Sequence, residues 1–232
     1  MIPLVDHQFF ALKVARGRMD ALWAGGWRHF GPMFYRYSAC ETALGRQVVM
    51  PLRVRLARFV ASKSQRRVLR RNADLEVRVQ DVVLDRERRE LFDAHRARFR
   101  ENVPDALENF LGPAPGLFPC ETVEVAAFHA GRLVAASYLD VGRRGASSIY
   151  AMFDPAEARR SLGIATMLWE MRFARGRGCS FYYPGYAFHE PSMFDYKKQF
   201  AAMEWFDWVG RWHPLKDKGS GAGPRGASPG RE

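Results

Sequence analysis

Cysteine is scarce in this chain of 232 residues: Cys40, Cys120 and Cys179 are the only three. An odd number at wide spacing excludes a disulfide framework and leads us to expect a reducing, cytoplasmic compartment. No C-x2-C pair occurs, so the usual spacing of a structural zinc site is missing and no metal is expected. No run of ~18 apolar residues occurs either, so a membrane-spanning helix is not expected. The opening Met1-Ile2-Pro3-Leu4-Val5-Asp6-His7 lacks the basic, apolar and small-residue succession of a secretory signal. Lysine is rare and acid is in deficit. Of 36 basic residues 30 are arginine, against 25 acidic ones, which leaves a formal net charge of +11. The six histidines are scattered, and His189 reads as a loop residue. No Ser/His/Asp or Cys/His set of the kind that serves covalent catalysis stands out.

What is present is a chain able to bury a core, 47% hydrophobic and 26% charged. Its positive charge is concentrated. From Arg46 to Arg71 there are nine basic residues and no acidic one, and Lys63-Ser64-Gln65-Arg66-Arg67-Val68-Leu69-Arg70-Arg71-Asn72 holds five of them. A helix there, capped by Ser62 or Ser64, puts Arg66 one turn from Arg70, and Arg67 one turn from Arg71. Like charges at that spacing repel, so the segment suits a partner that supplies phosphates.

Periodicity predicts the remaining elements. A short helix at 18–25 stops at Gly25-Gly26, and aromatic strands flank a Gly31-Pro32 turn. Strand patterns run from Val48 to Phe59 and from Leu75 to Val79. A charged helix covers Asp85 to Glu101, with Leu91, Phe92, His95 and Phe99 inward, and a shorter one covers Asp105 to Leu111. Thr122–His129 and Leu133–Asp140 form a hairpin around Gly131, and Ser147–Asp154 adds a third strand. Then follow a helix from Leu162 to Arg175, a strand at 180–183, a short helix from Met193 to Phe200 and a strand from Glu204 to Val209. Trp23, Trp27, Trp169, Trp205 and Trp208 are expected in the core. This order predicts an α/β (α+β) fold, a mixed sheet with helices packed against it. The expected division is a smaller N-terminal α/β subdomain at 1–75, a main domain at 76–212 and a disordered tail at 213–232.

Between the third strand and the following helix stands Arg160-x-x-Gly163-x-Ala165, an Arg-x-x-Gly-x-Gly/Ala form that resembles the acyl-donor loop of the GNAT acetyltransferases. A longer likeness covers about residues 17–206. Asp154-Pro155, Arg159-Arg160-Ser161-Leu162-Gly163, Tyr183-Pro184-Gly185-Tyr186 and Tyr196-Lys197-x-x-Phe200 resemble, in order, motifs of the arginyl- and leucyl-tRNA–protein transferases. Ser62-Lys63-Ser64-Gln65-Arg66-Arg67-Val68-Leu69-Arg70-Arg71-Asn72-Ala73-Asp74-Leu75 and Gly26-Trp27-Arg28-His29-Phe30-Gly31 resemble segments of the family's N-terminal half.

The resemblance implies a GNAT-like fold, charged tRNA as co-substrate and no other cofactor. It also implies transfer of arginine or leucine to the free N-terminal amine of an acceptor protein, and the chain is expected to act as a monomer with no membrane partner. Lys63, Gln65, Arg66, Arg67, Arg70 and Arg71 are expected to meet tRNA. Arg159, Arg160, Ser161, Leu162 and Gly163 are expected to receive the aminoacyl end. Tyr186, Tyr196 and Lys197 are expected to line the transfer site, with Asp140 and Asp154 as candidate amine-orienting or basic groups. Competing readings are an acyl-CoA-dependent N-acetyltransferase and a non-catalytic RNA-binding homologue. One departure stands out. The family's cysteine cluster, roughly Tyr-Arg-Pro-x-Cys-x-x-Cys-x-x-Cys in bacterial members, is reduced in Tyr35-Arg36-Tyr37-Ser38-Ala39-Cys40 to one cysteine, so an iron–sulfur or metal site built on it is expected to be absent.

Overall fold

The computed structural model describes residues 2–42, 45–99, 103–112 and 114–215. The chain begins with β1 (Asp6–Phe10), α1 (Arg16–Ala24), β2 (Arg28–Phe30) and β3 (Met33–Tyr37). These strands form a small antiparallel sheet in the order β1-β3-β2. α1 stops where Gly26 takes a φ of +81°, which costs glycine nothing and would strain any other residue. The buried face of α1, Met19, Leu22 and Trp23, packs against Phe34 and Tyr183. Asp20 on the same helix accepts the backbone N–H groups of Arg143, Arg144 and Gly145. A Cβ at Gly142 would lie 2.2 Å from that carboxylate, so any side chain there would collide with it.

The larger sheet is built from β4 (Ala39–Thr42), β5 (Gly45–Arg55), β6 (Glu76–Asp81), β7 (Thr122–His129), β8 (Arg132–Val141), β9 (Gly145–Phe153), β10 (Phe181–Phe188), β11 (Met203–Phe206) and β12 (Trp212–Pro214). Its order is β12-β11-β5-β10-β9-β8-β7-β6, with β4 on β5. All pairings are antiparallel except β9 with β10. The helices α2 (Lys63–Arg71), α3 (Arg86–Arg96), the single turn α4 (Glu108–Leu111) and α5 (Leu162–Gly176) cover it. One cluster seals α5 with Leu52, Val54, Leu139, Tyr182 and Phe200. A second seals α3 and α4 against Phe128, Ala136, Tyr138 and Met152. This is the expected mixed sheet flanked by helices.

Three expectations need correction. The boundary at 75/76 divides nothing, because β5 lies inside the large sheet between β10 and β11. The two-residue periodicity of β5 shows a strand and not its partner. The tail does not start at 213: His213 pairs with Trp205 in β12, and the Leu215 N–H donates to the Met203 carbonyl. Residues 216–232 of that expected disordered tail lie outside the described residues. The helix expected at Met193–Phe200 is a 3-10 turn at Asp195–Gln199.

α2 shows how a costly charge pattern is accommodated. Ser62 accepts the Gln65 N–H, and the Gln65 side chain accepts the Ser62 N–H, a reciprocal cap. Such a cap contributes about 1 kcal/mol. Each like-charge pair one turn apart costs only about 0.2–0.5 kcal/mol, so the cap and the inward packing of Leu69 offset the repulsion.

Candidate active site at the fork of the large sheet

β9 and β10 pair in parallel at only three positions, Phe181↔Gly145, Tyr182↔Ala146 and Tyr183↔Ser147, and then diverge. Two irregularities accompany the opening. On β9, Ile149 is skipped in the register with β8, since Tyr138 faces Tyr150 and Leu139 faces Ser148. On β10, the register with β5 jumps between Tyr182 and Gly185, and Gly185 takes a φ of +95°. A bulge of this kind re-aims side chains and frees backbone groups. The fork is therefore lined by Ser148 and the residues after it on one side, and by Gly185 and Tyr186 on the other.

A polar cluster fills its floor. Glu170, from α5, is 1% exposed. Its carboxyl accepts the hydroxyls of Tyr182 and Ser148, the latter at 3.2 Å. Burial pushes its pKa up to about 7 against the pull of those hydroxyls. The Arg28 guanidinium donates to the Ser147 hydroxyl and the Ser148 carbonyl, which anchors β2 on the fork. Lys197, in the 3-10 turn, donates its Nζ to the Tyr186 carbonyl at 3.2 Å. Burial and the nearby Arg28 charge lower its pKa to about 7, while Glu170 pulls it the other way. Both cations reach Gly185: a Cβ there would lie 3.5 Å from Lys197 Nζ and 3.6 Å from Arg28 Nη2. The Tyr196 phenol, 36% exposed, lies in the field of Glu170, and burial raises its pKa. A buried acid, a hydroxyl pointing at it and two cations in one fork can hold an anion and move a proton.

The structure redistributes the other residues singled out by sequence. Lys63, Arg66, Arg67, Arg70 and Arg71 are exposed on α2, and among the described residues none of them meets a carboxylate. Gln65 does not share that surface, because it is buried in the cap. Arg160 is held by Asp74 through two bonds of 2.8 and 2.9 Å and by Glu157 at 2.7 Å, so its charge is already answered. Arg159 is exposed, and its carbonyl accepts from Arg71. Asn72 donates to the Arg160 carbonyl at 2.9 Å. The basic helix is thus clipped to the turn before α5, where Ser161 takes the left-handed conformation and caps nothing with its side chain. Leu162 is core, packed with Leu75, Val134 and Ala135, and Gly163 starts α5 at its N-terminal, positive end.

Two carboxylates leave the reacting group. Asp140 is 1% exposed and bound to His29 and Thr122. Asp154 is held below the ordinary carboxylate range by Arg132 and caps the turn at Ala156, so it cannot take up a proton near neutrality. The Tyr186 hydroxyl donates to the Gly26 carbonyl at 2.6 Å, and its ring is enclosed by Tyr35, Tyr37 and Trp208, which makes it a wall of the fork. Sequence reasoning missed Ser148, Glu170 and Tyr182, and quoted Arg28 without a role. The available signal was Glu170 itself: an acid one turn after Thr166 on the buried stripe of an apolar helix.

The cysteine cluster of the resemblance does not fit here. Cys40 stands on β4, where burial and the charges of Glu41 and Glu190 raise its pKa. It joins no group of His, Cys, Asp and Glu ligand atoms among the described residues.

Among known proteins, a family model described as the C terminus of arginine-tRNA-protein transferase matches residues 79–207. An aspartate/glutamate leucyltransferase of Stenotrophomonas maltophilia strain K279a is 31% identical over 81% of this chain and 76% of its own length. One of Pseudomonas putida strain W619 is 30% identical over 77% and 75%. A solved structure of L-PGS from Bacillus licheniformis superposes with a TM-score of 0.49 at 15% identity, over 80% of this chain and 55% of that one, so the chain spans little more than half its length. The chain belongs to the aminoacyl-tRNA–protein transferase family. No helix among the described residues is long and apolar enough to cross a membrane.

Proposed function

We propose that this chain transfers leucine from leucyl-tRNA to the N-terminal amine of a polypeptide that begins with aspartate or glutamate. The observation that carries the reading is the fork itself, where Arg28 and Lys197 face an opening floored by Ser148 and Glu170. The leucyl donor is the one named for the relatives. The exposed cations of α2 suit the tRNA phosphates, and the turn they are clipped to leads to the N-terminus of α5 beside the fork.

The donor ester is already activated, so no covalent enzyme intermediate is required. The neutral α-amine attacks the ester carbonyl and a C–N bond forms. The proton it sheds passes to Ser148 Oγ as the Ser148 proton passes to Glu170. Collapse of the tetrahedral oxyanion breaks the C–O bond to the ribose, and the proton held by Glu170 returns to the departing hydroxyl. Lys197 pairs with the acceptor's first side chain.

The test offers the protein tRNA charged with each labelled amino acid in turn, with peptides beginning Asp, Glu or Ala. Leucine transfer to the Asp and Glu peptides, with a preference over Ala that Lys197→Ala erases, is the expected result. Transfer of another amino acid, or equal loss on all peptides in Lys197→Ala, overturns the donor or the pairing respectively. Labelled acetyl-CoA serves as a control for an acyl-CoA-dependent reaction.

A further inference from the structure

Away from the fork, three potential ligand residues converge from three separate segments. His29 comes from β2, Cys120 from the loop before β7 and Asp140 from β8. One ligand atom from each lies within 4.8 Å of the other two. All three are buried, at 4%, 5% and 1% exposure.

Each side chain is held from behind. His29 Nδ1 lies 2.9 Å from the Gly31 carbonyl, to which it donates. Its Nε2 then faces Asp140 Oδ2 at 2.5 Å. The other Asp140 oxygen accepts the Thr122 hydroxyl at 2.7 Å. An imidazole that donates its far nitrogen to a carbonyl, beside a carboxylate that is itself hydrogen-bonded, has the outer-shell support typical of metal ligands.

Charge adds a second argument. With the histidine proton on Nδ1 and none between Nε2 and Oδ2, the centre of the group receives an imidazole lone pair, a carboxylate oxygen and a sulfur, and the thiol proton is its one donor. Among the described residues neither arginine nor lysine pairs with Asp140. Nε2 and Oδ2 stand at hydrogen-bond distance, 2.5 Å, and a tetrahedral zinc held by both would part them to ~3.3 Å. The thiol discriminates weakly for a proton and strongly for a borderline-soft metal. Nitrogen, sulfur and oxygen together are a donor set for zinc.

We propose that His29 Nε2, Cys120 Sγ and Asp140 Oδ2 form a structural zinc site that joins the N-terminal sheet to the large sheet. The fourth tetrahedral position is left to a water or to the Thr122 hydroxyl. Binding parts Nε2 from Oδ2, brings Cys120 Sγ onto the ion, and releases to solvent both the thiol proton and the proton shared by His29 and Asp140. The ion fixes β2 one residue from Arg28, and so steadies the anchor of the fork. The absence of C-x2-C spacing does not bear on this site, since each ligand comes from a different segment. It is also distinct from the cysteine cluster of the family, whose position Cys40 marks.

The test uses untagged full-length protein, stripped of loosely held metal and then titrated with cobalt(II) alone. A saturable thiolate-to-cobalt charge-transfer band at about one ion per chain is expected, and zinc should displace it. Protein purified from zinc-supplemented medium should retain about one zinc after dialysis, read by elemental analysis. Cys120→Ser should lose the band, and Cys40→Ser should keep it. Absence of a thiolate band in the wild-type protein overturns the proposal, whatever the variants do. So does a band that vanishes in Cys40→Ser and persists in Cys120→Ser. Because the wild-type titration decides the matter by itself, a Cys120→Ser protein that fails to fold does not rescue the idea.

Discussion

Two groups of arginines, clipped together in space, serve opposite ends. On α2, Arg66, Arg67, Arg70 and Arg71 are exposed and meet no carboxylate among the described residues. In the turn before α5, Arg160 is closed in by Asp74 and Glu157. Both groups look alike as sequence, a basic pair in a short motif. The difference is set by where the nearest acids fold. Asp74 follows α2 by a few residues and turns its carboxylate back to the loop, so the same segment that presents free cations also consumes one from its neighbour. Charge available for a polyanion is thus a property of the surface and not of the composition. The fork adds a third environment, where Lys197 and Glu170 are charged groups held by desolvation near their titration points.

That contrast predicts the largest effect at the fork. Glu170→Gln should lower single-turnover transfer by ~10²-fold or more, the usual contribution of a positioned base, and leave tRNA affinity unchanged. The pH profile is the decisive readout. Wild-type transfer should rise as Glu170 loses its proton near its pKa of about 7 and fall as Lys197 loses its own, giving a bell whose two limbs belong to the coupled pair. The rising limb should disappear in Glu170→Gln and survive in Ser148→Ala, where water takes the place of the hydroxyl. An unshifted bell in Glu170→Gln would remove the acid from the mechanism.

The exposed side of the comparison comes next. Arg67→Glu with Arg70→Glu should weaken tRNA binding by about tenfold or more, and the slope of log affinity against log salt should become shallower by about 1.4–1.8. Filter binding across a salt series measures both. An unchanged slope would show that these cations do not meet phosphates.

The same contrast marks what was readable in advance. The basic helix, its serine cap, the hairpin of β7 and β8, the strand β9 and helix α5 follow from short-range periodicity and turn residues, and they lie where expected. Lys197 was recognisable through the likeness of Tyr196-Lys197-x-x-Phe200. Partnership was not readable. The place of β5 between β10 and β11 depends on pairing across more than a hundred residues. Asp140 read as a strand-end acid near chemistry, yet its partners are His29 and Thr122, distant in sequence. Glu170 stands on the buried stripe of an apolar helix, and the closing of Tyr182 and Ser148 over it, which no local pattern shows, makes it a buried acid held by hydroxyls.

A smaller effect concerns stability and needs its sign worked out. The Lys197 pKa falls from 10.5 to about 7 on folding. Between those values the unfolded chain binds more protons than the folded one, so this group makes stability rise with pH across that window. Glu170 rises from 4.5 to about 7, so its contribution is complete below 4.5 and is lost as pH climbs through 7. Together they place a minimum near neutrality. Lys197→Met removes the amine and keeps the stem, so its advantage in melting temperature over wild type should be larger at pH 7 than at pH ~10. An advantage constant across that range would mean that the amine is not desolvated.

The smallest effect separates the two arginine groups most cleanly. Arg160→Ala removes a cation as surely as Arg70→Ala does, and on composition alone the two should act alike on tRNA. The bonds of Arg160 to Asp74 and Glu157 say otherwise. Its loss leaves Asp74 facing only His129 and Glu157 facing Arg132 and His129, so it should lower the melting temperature by no more than ~2–4 °C. The salt slope of tRNA binding should stay within error, because no phosphate contact is lost. Arg70→Ala should do the reverse, with stability kept and the slope shallower by ~0.7–0.9. A matched slope change in the two variants would mean that Arg160 leaves its acids for the nucleic acid on binding, and the distinction between a free and an answered cation would then hold only for the protein without its tRNA.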